Sequence, residues 1–230
     1  MSLGNWLAHW IRGPNTWTPE DFSLHEITAI FAGGLGEPRR SLNAMRALLL
    51  QEYNIGSIVG STYTVLDLPP YPYEKAENVG RALYLNTKRH LEENEESRII
   101  IIGHSLGGIF ALQTVQRLIR EGYGDRVHKI FLLGAPLYGV DPKVFLLNNF
   151  LIRDTIKPLL DIANRELAEL TSIFLHDIPR EKIVTIYSEG DILVHRSQAT
   201  ISGATNISVG SGHLLMIACP HVAKIIHSHL

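Results

Sequence analysis

Two kinds of hydrophobic pattern alternate along this chain, and they predict alternating strands and helices. The run Glu26–Phe31 has the composition of a strand, and the following stretch Arg39–Tyr53 carries its apolar residues at helical spacing. Residues Arg98–Ile102 include four consecutive isoleucines, which are typical of a strand buried on both faces in a parallel sheet. The chain therefore has the pattern of an α/β protein.

Six strands are predicted, and most of them are separated by helices. The predicted strands are Glu26–Phe31, Gly56–Ser61, Arg98–Ile102, Lys129–Leu133, Lys182–Tyr187 and Asn206–Val209. The predicted helices are about Arg39–Tyr53, Glu74–Leu91, Leu106–Glu121, Leu159–Leu170 and Leu214–His229. The proline-rich stretch Asp67–Tyr73 is predicted to be a loop. We expect fold class α/β, with a mostly parallel central sheet of about six strands flanked by helices.

The segment Leu137–Pro179 does not follow this alternation. It is rich in apolar residues and is interrupted by Pro142 and Pro158. We expect residues 1–230 to form one domain, with residues 137–179 as a helical insertion above the strand ends. The insertion is either a lid over an active site, which would be a second candidate for weak contact with a membrane surface, or an ordinary peripheral packing element.

The N-terminal segment carries an apolar face of its own. Trp6, Leu7, Trp10 and Ile11 share one side of a predicted short helix, which either docks on the domain or makes weak contact with a membrane surface. Met1–Arg12 lacks the pattern of a secretory signal, and no stretch is long and apolar enough to span a membrane. We therefore expect a cytoplasmic protein.

Composition narrows the range of partners and cofactors. The formal net charge of -2 is too close to zero to indicate nucleic acid as a partner, so a small neutral or apolar substrate is expected. The only cysteine, Cys219, cannot form an intramolecular disulfide, and it offers no cysteine-rich metal site. We expect no cofactor and no metal; the sequence does not indicate an oligomeric state.

A G-x-S-x-G motif supplies the candidate nucleophile. Gly103–Gly107 follows the isoleucine strand directly and opens a helix, which is the context in which this motif holds a nucleophilic serine. Ser105 would be the nucleophile, and the backbone N–H of Leu106 would donate to the oxyanion. A second donor is expected in the loop Ala32–Gly36, although a plain glycine-rich turn is the alternative.

The acid and the base of a hydrolase triad must follow the serine in the chain. Asp191 lies directly after a predicted strand and is the candidate acid, with Glu189 or a structural turn aspartate as alternatives. His213 lies in a glycine-containing loop after the next strand and is the candidate base, with His195 as the competitor. His104 is expected to point away from Ser105 and to serve in packing.

Together these motifs resemble the lipase and esterase branch of the α/β-hydrolase superfamily. The similarity lies in Gly103–Gly108, Leu133–Gly139, Gly190–Val194 and Gly212–Leu215, within a match from about Ile27 to the C-terminus. Two departures are Ala32, where many lipases have His before the glycines, and His195, where that branch often has Pro.

The resemblance implies a serine hydrolase that acts on carboxylic esters in lipid metabolism. In that branch the second oxyanion donor would be Gly34, with Leu35 as the next choice, beside Leu106. Ser105, His213 and Asp191 would cleave a small ester or a lipid-like ester through an acyl-enzyme. A thioesterase or acyltransferase with the same triad, or a binding scaffold without catalysis, remains the alternative.

Overall fold

The computed structural model of this protein describes residues 27–35, 42–63, 72–140 and 164–230. Six strands lie in these ranges: β1 (Ile27–Leu35), β2 (Gly56–Tyr63), β3 (Arg98–His104), β4 (Val127–Leu133), β5 (Ile183–Ser188) and β6 (Thr205–Val209). The α-helices there are α1 (Asn43–Tyr53), α2 (Pro72–Glu93), α3 (Gly107–Arg120), α4 (164–175), α5 (Arg196–Ala199) and α6 (Pro220–Ser228). Short 3-10 helices cover Gly124–Arg126, Arg180–Lys182 and His213–Ala218. The predicted fold class and strand number are confirmed.

All described strand pairs are parallel, and the sheet order is β2-β1-β3-β4-β5-β6. The order reverses between β1 and β3, because the chain leaves β1 toward one edge and later builds the sheet toward the other. Ligands of open α/β sheets bind at the carboxyl ends of the strands at such a reversal. Gly34, near the end of β1, and Ser105, after β3, lie at this point.

The β3 isoleucines divide between two hydrophobic cores. Ile99 and Ile101 join the core formed with α2, α3 and α4, whereas Ile100 and Ile102 join the core formed with α1 and α6. All four side chains are at most 1% exposed. The sheet is therefore covered on both faces, as the run of isoleucines predicted.

A polar cluster closes the amino edge of the sheet. The Nε2 of His90 lies 3.1 Å from the Oγ of Ser97, and the Nδ2 of Asn94 lies 3.3 Å from the Nδ1 of His90. Arg126 donates to the carbonyls of Leu91, at 2.8 Å, and Ser97, at 2.7 Å. Burial, with the nearby Arg126 charge, lowers the pKa of His90 against a smaller opposing effect of Glu93.

Three predicted elements differ from those observed. The stretch Asp67–Tyr73 is predicted as a loop, but α2 begins at Pro72, because the first turn of a helix tolerates a proline whose missing N–H would have no partner there. β1 continues to Leu35 through residues predicted as a loop, and its pairing with β2 becomes irregular between Ala32 and Leu35. The predicted helix Leu214–His229 is instead a 3-10 helix and a separate α6, because Pro220 has no N–H and Cys219 before it is extended.

Two described parts of the predicted insertion, residues 137–179, are hydrogen-bonded to each other. The side-chain amide of Asn164 accepts from the Val140 N–H and donates to the Val140 carbonyl, each at 2.9 Å. Residues 141–163, the N-terminal tryptophans and the predicted proline-rich loop up to Tyr71 lie outside the described residues. Whether the insertion is a lid stays a prediction. Across the described ranges, none of the helices combines the length and the apolar character needed to cross a bilayer.

Candidate active site

Ser105 occupies a strained turn between β3 and α3. Its φ is 52°, a left-handed conformation that is unusual for a residue other than glycine. The turn is held because the Ser105 N–H donates to the Leu133 carbonyl and the Ser105 carbonyl accepts from the Gly108 N–H, each at 2.9 Å. A strained serine that ends a buried strand and begins a helix is the geometry required of the G-x-S-x-G motif.

Close backbone packing explains the glycines of this motif. A side chain on Gly107 would begin 2.2 Å from the carbonyl oxygen of Ala32, so β1 and the start of α3 approach each other too closely for any other residue. The motif thereby holds the end of β1 against the turn that carries Ser105.

Gly34, predicted as an oxyanion donor, lies directly against Ser105. A side chain on Gly34 would begin 2.8 Å from the Cβ and 3.4 Å from the Oγ of the serine. Leu106, the other predicted donor, is the residue before the first turn of α3, where backbone N–H groups point toward the helix end. Both predicted donors therefore adjoin the serine in the chain or in space.

Asp191 and His213 form a buried pair. The Nδ1 of His213 lies 2.6 Å from the Oδ2 of Asp191, and the two side chains are 6% and 0% exposed. Asp191 follows β5 after two turn residues, and His213 follows β6, so parallel strands bring both loops to the carboxyl edge. The carboxylate can only accept when ionised, so the proton lies on the His213 Nδ1 and the Nε2 is the acceptor.

The other carboxylate oxygen of Asp191 is held by the backbone. Its Oδ1 accepts from the N–H groups of Leu193, at 2.8 Å, and Val194, at 3.0 Å. Burial alone would raise the pKa of Asp191, but the hydrogen bond from His213 and these two amides hold that pKa below its ordinary value. Asp191 is therefore an ionised and immobile partner for the imidazole.

Two residues that touch this pair were missed as site residues. A side chain on Gly134, whose φ is 54°, would begin 3.1 Å from the His213 Nδ1, so only glycine leaves room for the imidazole. His104 is buried as expected for packing, but its Nε2 lies 2.9 Å from the His213 carbonyl oxygen. The position of Gly134 after a buried strand, and of His104 beside the serine, were the available signals.

The alternative acid and base occupy different surroundings. Glu189 is exposed and lies 3.8 Å from Arg196 in an ion pair. His195 is exposed at the start of α5, where its backbone N–H donates to the Gln198 side chain at 2.9 Å. Neither has the burial of the Asp191 and His213 side chains, and burial is what makes a fixed, charge-assisted hydrogen bond strong.

The arrangement suits acid–base chemistry on a nucleophilic hydroxyl. It combines a serine on a strained turn, an imidazole with one nitrogen oriented by a carboxylate, and backbone amides beside the serine. Within the part of the chain that the structure describes, no group of three or more His, Cys, Asp or Glu side chains has the arrangement of a metal site.

Comparison with known proteins rests on three-dimensional structure. No protein-family model and no curated protein sequence matches this chain. Carboxyl esterase 2 of the fungus Tuber melanosporum is 14% identical, with a TM-score of 0.58 over 88% of this chain and 76% of that protein. A monoglyceride lipase from Saccharomyces cerevisiae is 12% identical, with a TM-score of 0.57 over 88% of this chain and 84% of the lipase.

A protein from Xanthomonas campestris pv. campestris, assigned to the alpha/beta hydrolase superfamily, is also similar in structure to this chain. It is 15% identical, with a TM-score of 0.53 over 87% of this chain and 98% of its own. Identities this low carry the fold and not the substrate. With its parallel sheet and the turn that carries Ser105, the chain has the α/β-hydrolase fold, which it shares with these lipases, esterases and hydrolases.

Proposed function

We propose that this protein is a serine hydrolase of carboxylic esters, with Ser105 as nucleophile, His213 as general base and Asp191 as the carboxylate that orients it. The observation that carries the proposal is the buried 2.6 Å hydrogen bond between His213 and Asp191 at the edge where Ser105 occupies its strained turn. His104 connects the serine to this pair, because it precedes Ser105 in the chain and its ring contacts the backbone of His213.

In the first step the Nε2 of His213 takes the proton of the Ser105 hydroxyl as the Oγ attacks the ester carbonyl carbon. The carbonyl oxygen becomes an oxyanion that the backbone amides of Gly34 and Leu106 stabilise, while Asp191 stabilises the imidazolium. The C–O bond of the alcohol then breaks, and the leaving alkoxide takes the proton from His213. An acyl-enzyme on Ser105 remains.

Hydrolysis of the acyl-enzyme repeats these roles with water. His213 removes a proton from the water as its oxygen attacks the acyl carbon, and the same two amides stabilise the second oxyanion. The Ser105 Oγ leaves and recovers its proton from His213, and a carboxylic acid is released. No step requires a group from outside the chain other than the ester and water.

An apolar rim beside the pair supports an apolar ester as the substrate. Ile192 follows Asp191 and is 70% exposed, and Leu214 and Leu215 follow His213 and are 71% and 58% exposed. Large exposed apolar side chains that adjoin a buried polar pair in the chain are suited to contact an apolar ligand. We propose that these side chains contact the acyl or alcohol chain of the substrate.

A fluorophosphonate probe and a panel of p-nitrophenyl esters of increasing chain length test this function. We expect the probe to label the wild type and not Ser105→Ala, and we expect Ser105→Ala to lose hydrolysis by about 10⁴-fold or more. Acyl-CoA thioesters in the same panel separate an esterase from a thioesterase. A folded wild type that neither reacts with the probe nor cleaves any of these substrates would contradict the proposal and support a binding scaffold without catalysis.

A further inference from the structure

We infer that His104 is a positioning residue, whose hydrogen bond to the His213 backbone fixes the general base relative to Ser105. This inference rests on the proposed function, since it assigns His104 a task in the same reaction. His104 is 2% exposed, and its Nε2 lies 2.9 Å from the His213 carbonyl oxygen. The two imidazole centroids are 5.0 Å apart with an angle of 45° between the rings.

The partner of His104 determines which nitrogen carries its proton. A carbonyl oxygen can only accept, so the Nε2 of His104 must be the donor. A neutral ring satisfies this bond, and a neutral ring also avoids placing a second positive charge beside His213 when His213 becomes an imidazolium during turnover. His104 can therefore hold the base without opposing its protonation.

The loop that carries His213 has few other close contacts at its glycines. Among the residues that the structure describes, a side chain on Gly210 or on Gly212 would meet nothing within 4 Å, so neither position is packed against another described element. Asp191 restrains the imidazole of His213, and His104 restrains its backbone. Both restraints are needed because a hydrogen bond at the ring alone leaves the loop free to shift and the ring free to rotate with it.

Because His104 is next to Ser105 in the chain, its hydrogen bond to His213 also limits the distance between the base and the nucleophile. His104 ends β3 and Ser105 follows it, so the hydrogen bond ties the base to the residue that precedes the nucleophile. The Ser105 N–H is itself bonded to β4 through the Leu133 carbonyl at 2.9 Å. A displacement of reacting groups by about 1 Å can cost a hundredfold in rate, so loss of the tie should affect turnover more than binding.

Two substitutions separate positioning from packing. His104→Gln can place an amide donor near the former Nε2, whereas His104→Leu retains an apolar side chain of comparable size without a donor. We expect His104→Leu to lower kcat by about 10- to 100-fold with KM little changed, and His104→Gln to remain within about fivefold of the wild type. Equal kcat values for the wild type and His104→Leu would overturn the inference.

The imidazole proton between His213 and Asp191 provides a readout that does not depend on turnover. In the wild type we expect a far-downfield ¹H resonance that exchanges slowly, because this bond is short and buried. In His104→Leu the resonance should broaden or shift, and in His104→Gln it should persist. If it is unchanged in His104→Leu, His104 is not a positioning residue.

Failure of the proposed function can be distinguished from failure of this inference. An unreactive Ser105 in the wild type contradicts the hydrolase, yet the resonance still shows whether His104 orders the His213 loop. If His104→Leu fails to fold, as judged by circular dichroism and thermal unfolding, the tautomer of His104 in the wild type decides. Nitrogen-15 shifts showing a proton on Nε2 support the inference, and a proton on Nδ1 overturns it.

Discussion

The two edges of the sheet each carry a histidine and a serine, but only one edge has the arrangement expected of a catalyst. At the amino edge, the His90 Nε2 lies 3.1 Å from the Ser97 Oγ. At the carboxyl edge, Ser105 occupies its strained turn after β3, and the His213 and Asp191 pair lies in the loops after β5 and β6. A histidine near a serine is therefore not sufficient to identify a hydrolase site, and the partner of the second ring nitrogen decides.

The two histidines carry their protons on different nitrogens. The Nδ1 of His90 faces the Nδ2 of Asn94, which also donates to the His90 carbonyl at 2.9 Å, so this amide is a donor and the proton of His90 lies on Nε2. Its Nε2 thus donates to Ser97 and cannot take a proton from it. In His213 the carboxylate fixes the opposite tautomer and leaves Nε2 able to act as a base.

Charge makes the same distinction. Burial lowers the pKa of His90, and the charge of Arg126 lowers it further. The carboxylate of Asp191, in contrast, is buried against the His213 ring at 2.6 Å. The hydrogen bonds at the amino edge keep a neutral imidazole as a structural donor, whereas the carboxylate at the other edge suits the imidazolium that the proposed acyl transfer requires.

The largest difference between the two edges should appear when the histidine of each is replaced by glutamine in turn. His213→Gln removes the proposed base and should lower kcat/KM for an ester by about 10⁴-fold or more, whereas His90→Gln should stay within about twofold. Initial rates on the most rapidly cleaved p-nitrophenyl ester measure both variants. A comparable loss in folded His90→Gln would contradict the distinction between the edges.

Asp191→Asn recreates at the carboxyl edge the amide that faces His90. An amide can present its NH₂ to the His213 Nδ1 and favour the wrong tautomer, so kcat should fall by about 10³- to 10⁴-fold with KM little affected. Glu189→Gln is the matched control, since that neighbouring carboxylate is exposed, and it should retain activity. If Glu189→Gln shows the greater loss, Asp191 is not the acid.

Gly34→Ala tests the contact that belongs to the carboxyl edge. Its new methyl group would lie 2.8 Å from the Ser105 Cβ, so the end of β1 must move away from the serine, and activity should fall by about 10- to 100-fold. Gly210→Ala adds the same atoms where no described residue lies within 4 Å, and it should leave kcat unchanged. The kcat values of the two variants provide the measurement, and equal values would remove Gly34 from the proposed oxyanion site.

The smallest effect concerns the stability of the amino edge. The pKa of His90 is lowered in the folded protein, so below about pH 6.5 the unfolded chain binds a proton that the folded chain does not. The free energy of unfolding therefore decreases as the pH is lowered. Its contribution should approach, and not exceed, about 1.4 kcal/mol per pH unit. Urea unfolding at pH 5, 6 and 7 should show a weaker pH dependence in His90→Gln, and identical dependence in both proteins would contradict it.

Much of this architecture was predictable because its elements have strong local signals. The isoleucines of β3 indicate burial on both faces, and Gly103–Gly107 follows them at the spacing that a strand-turn-helix requires. The candidate acid and base could be ranked because loops after parallel strands share one edge. These signals depend on residues that are close in sequence.

Two of the features that were missed depend on residues distant in sequence, and a third does not. The hydrogen bond between His104 and His213 spans 109 positions. The place of His104 beside Ser105 marks it as a candidate site residue but does not indicate that His213 is its partner. The continuation of β1 to Leu35 depends on pairing with distant residues of β2, namely Ala32 with Ser61 and Leu35 with Tyr63, on either side of the two glycines. The division of the last helix could have been found, because Pro220 is a local signal that the helical spacing of the apolar residues obscured.

The two hydrogen bonds between the Asn164 side chain and the Val140 backbone have a consequence for engineering. Because one amide binds both backbone polar groups of Val140, the two ends of residues 141–163 are fixed side by side, independently of what lies between them. A segment with adjoining ends can be exchanged for one of different length at a modest entropic cost, since loop closure varies only slowly with length. Replacement of residues 141–163 would thus leave in place the hydrogen bonds that hold the Ser105 turn and the pair of Asp191 and His213.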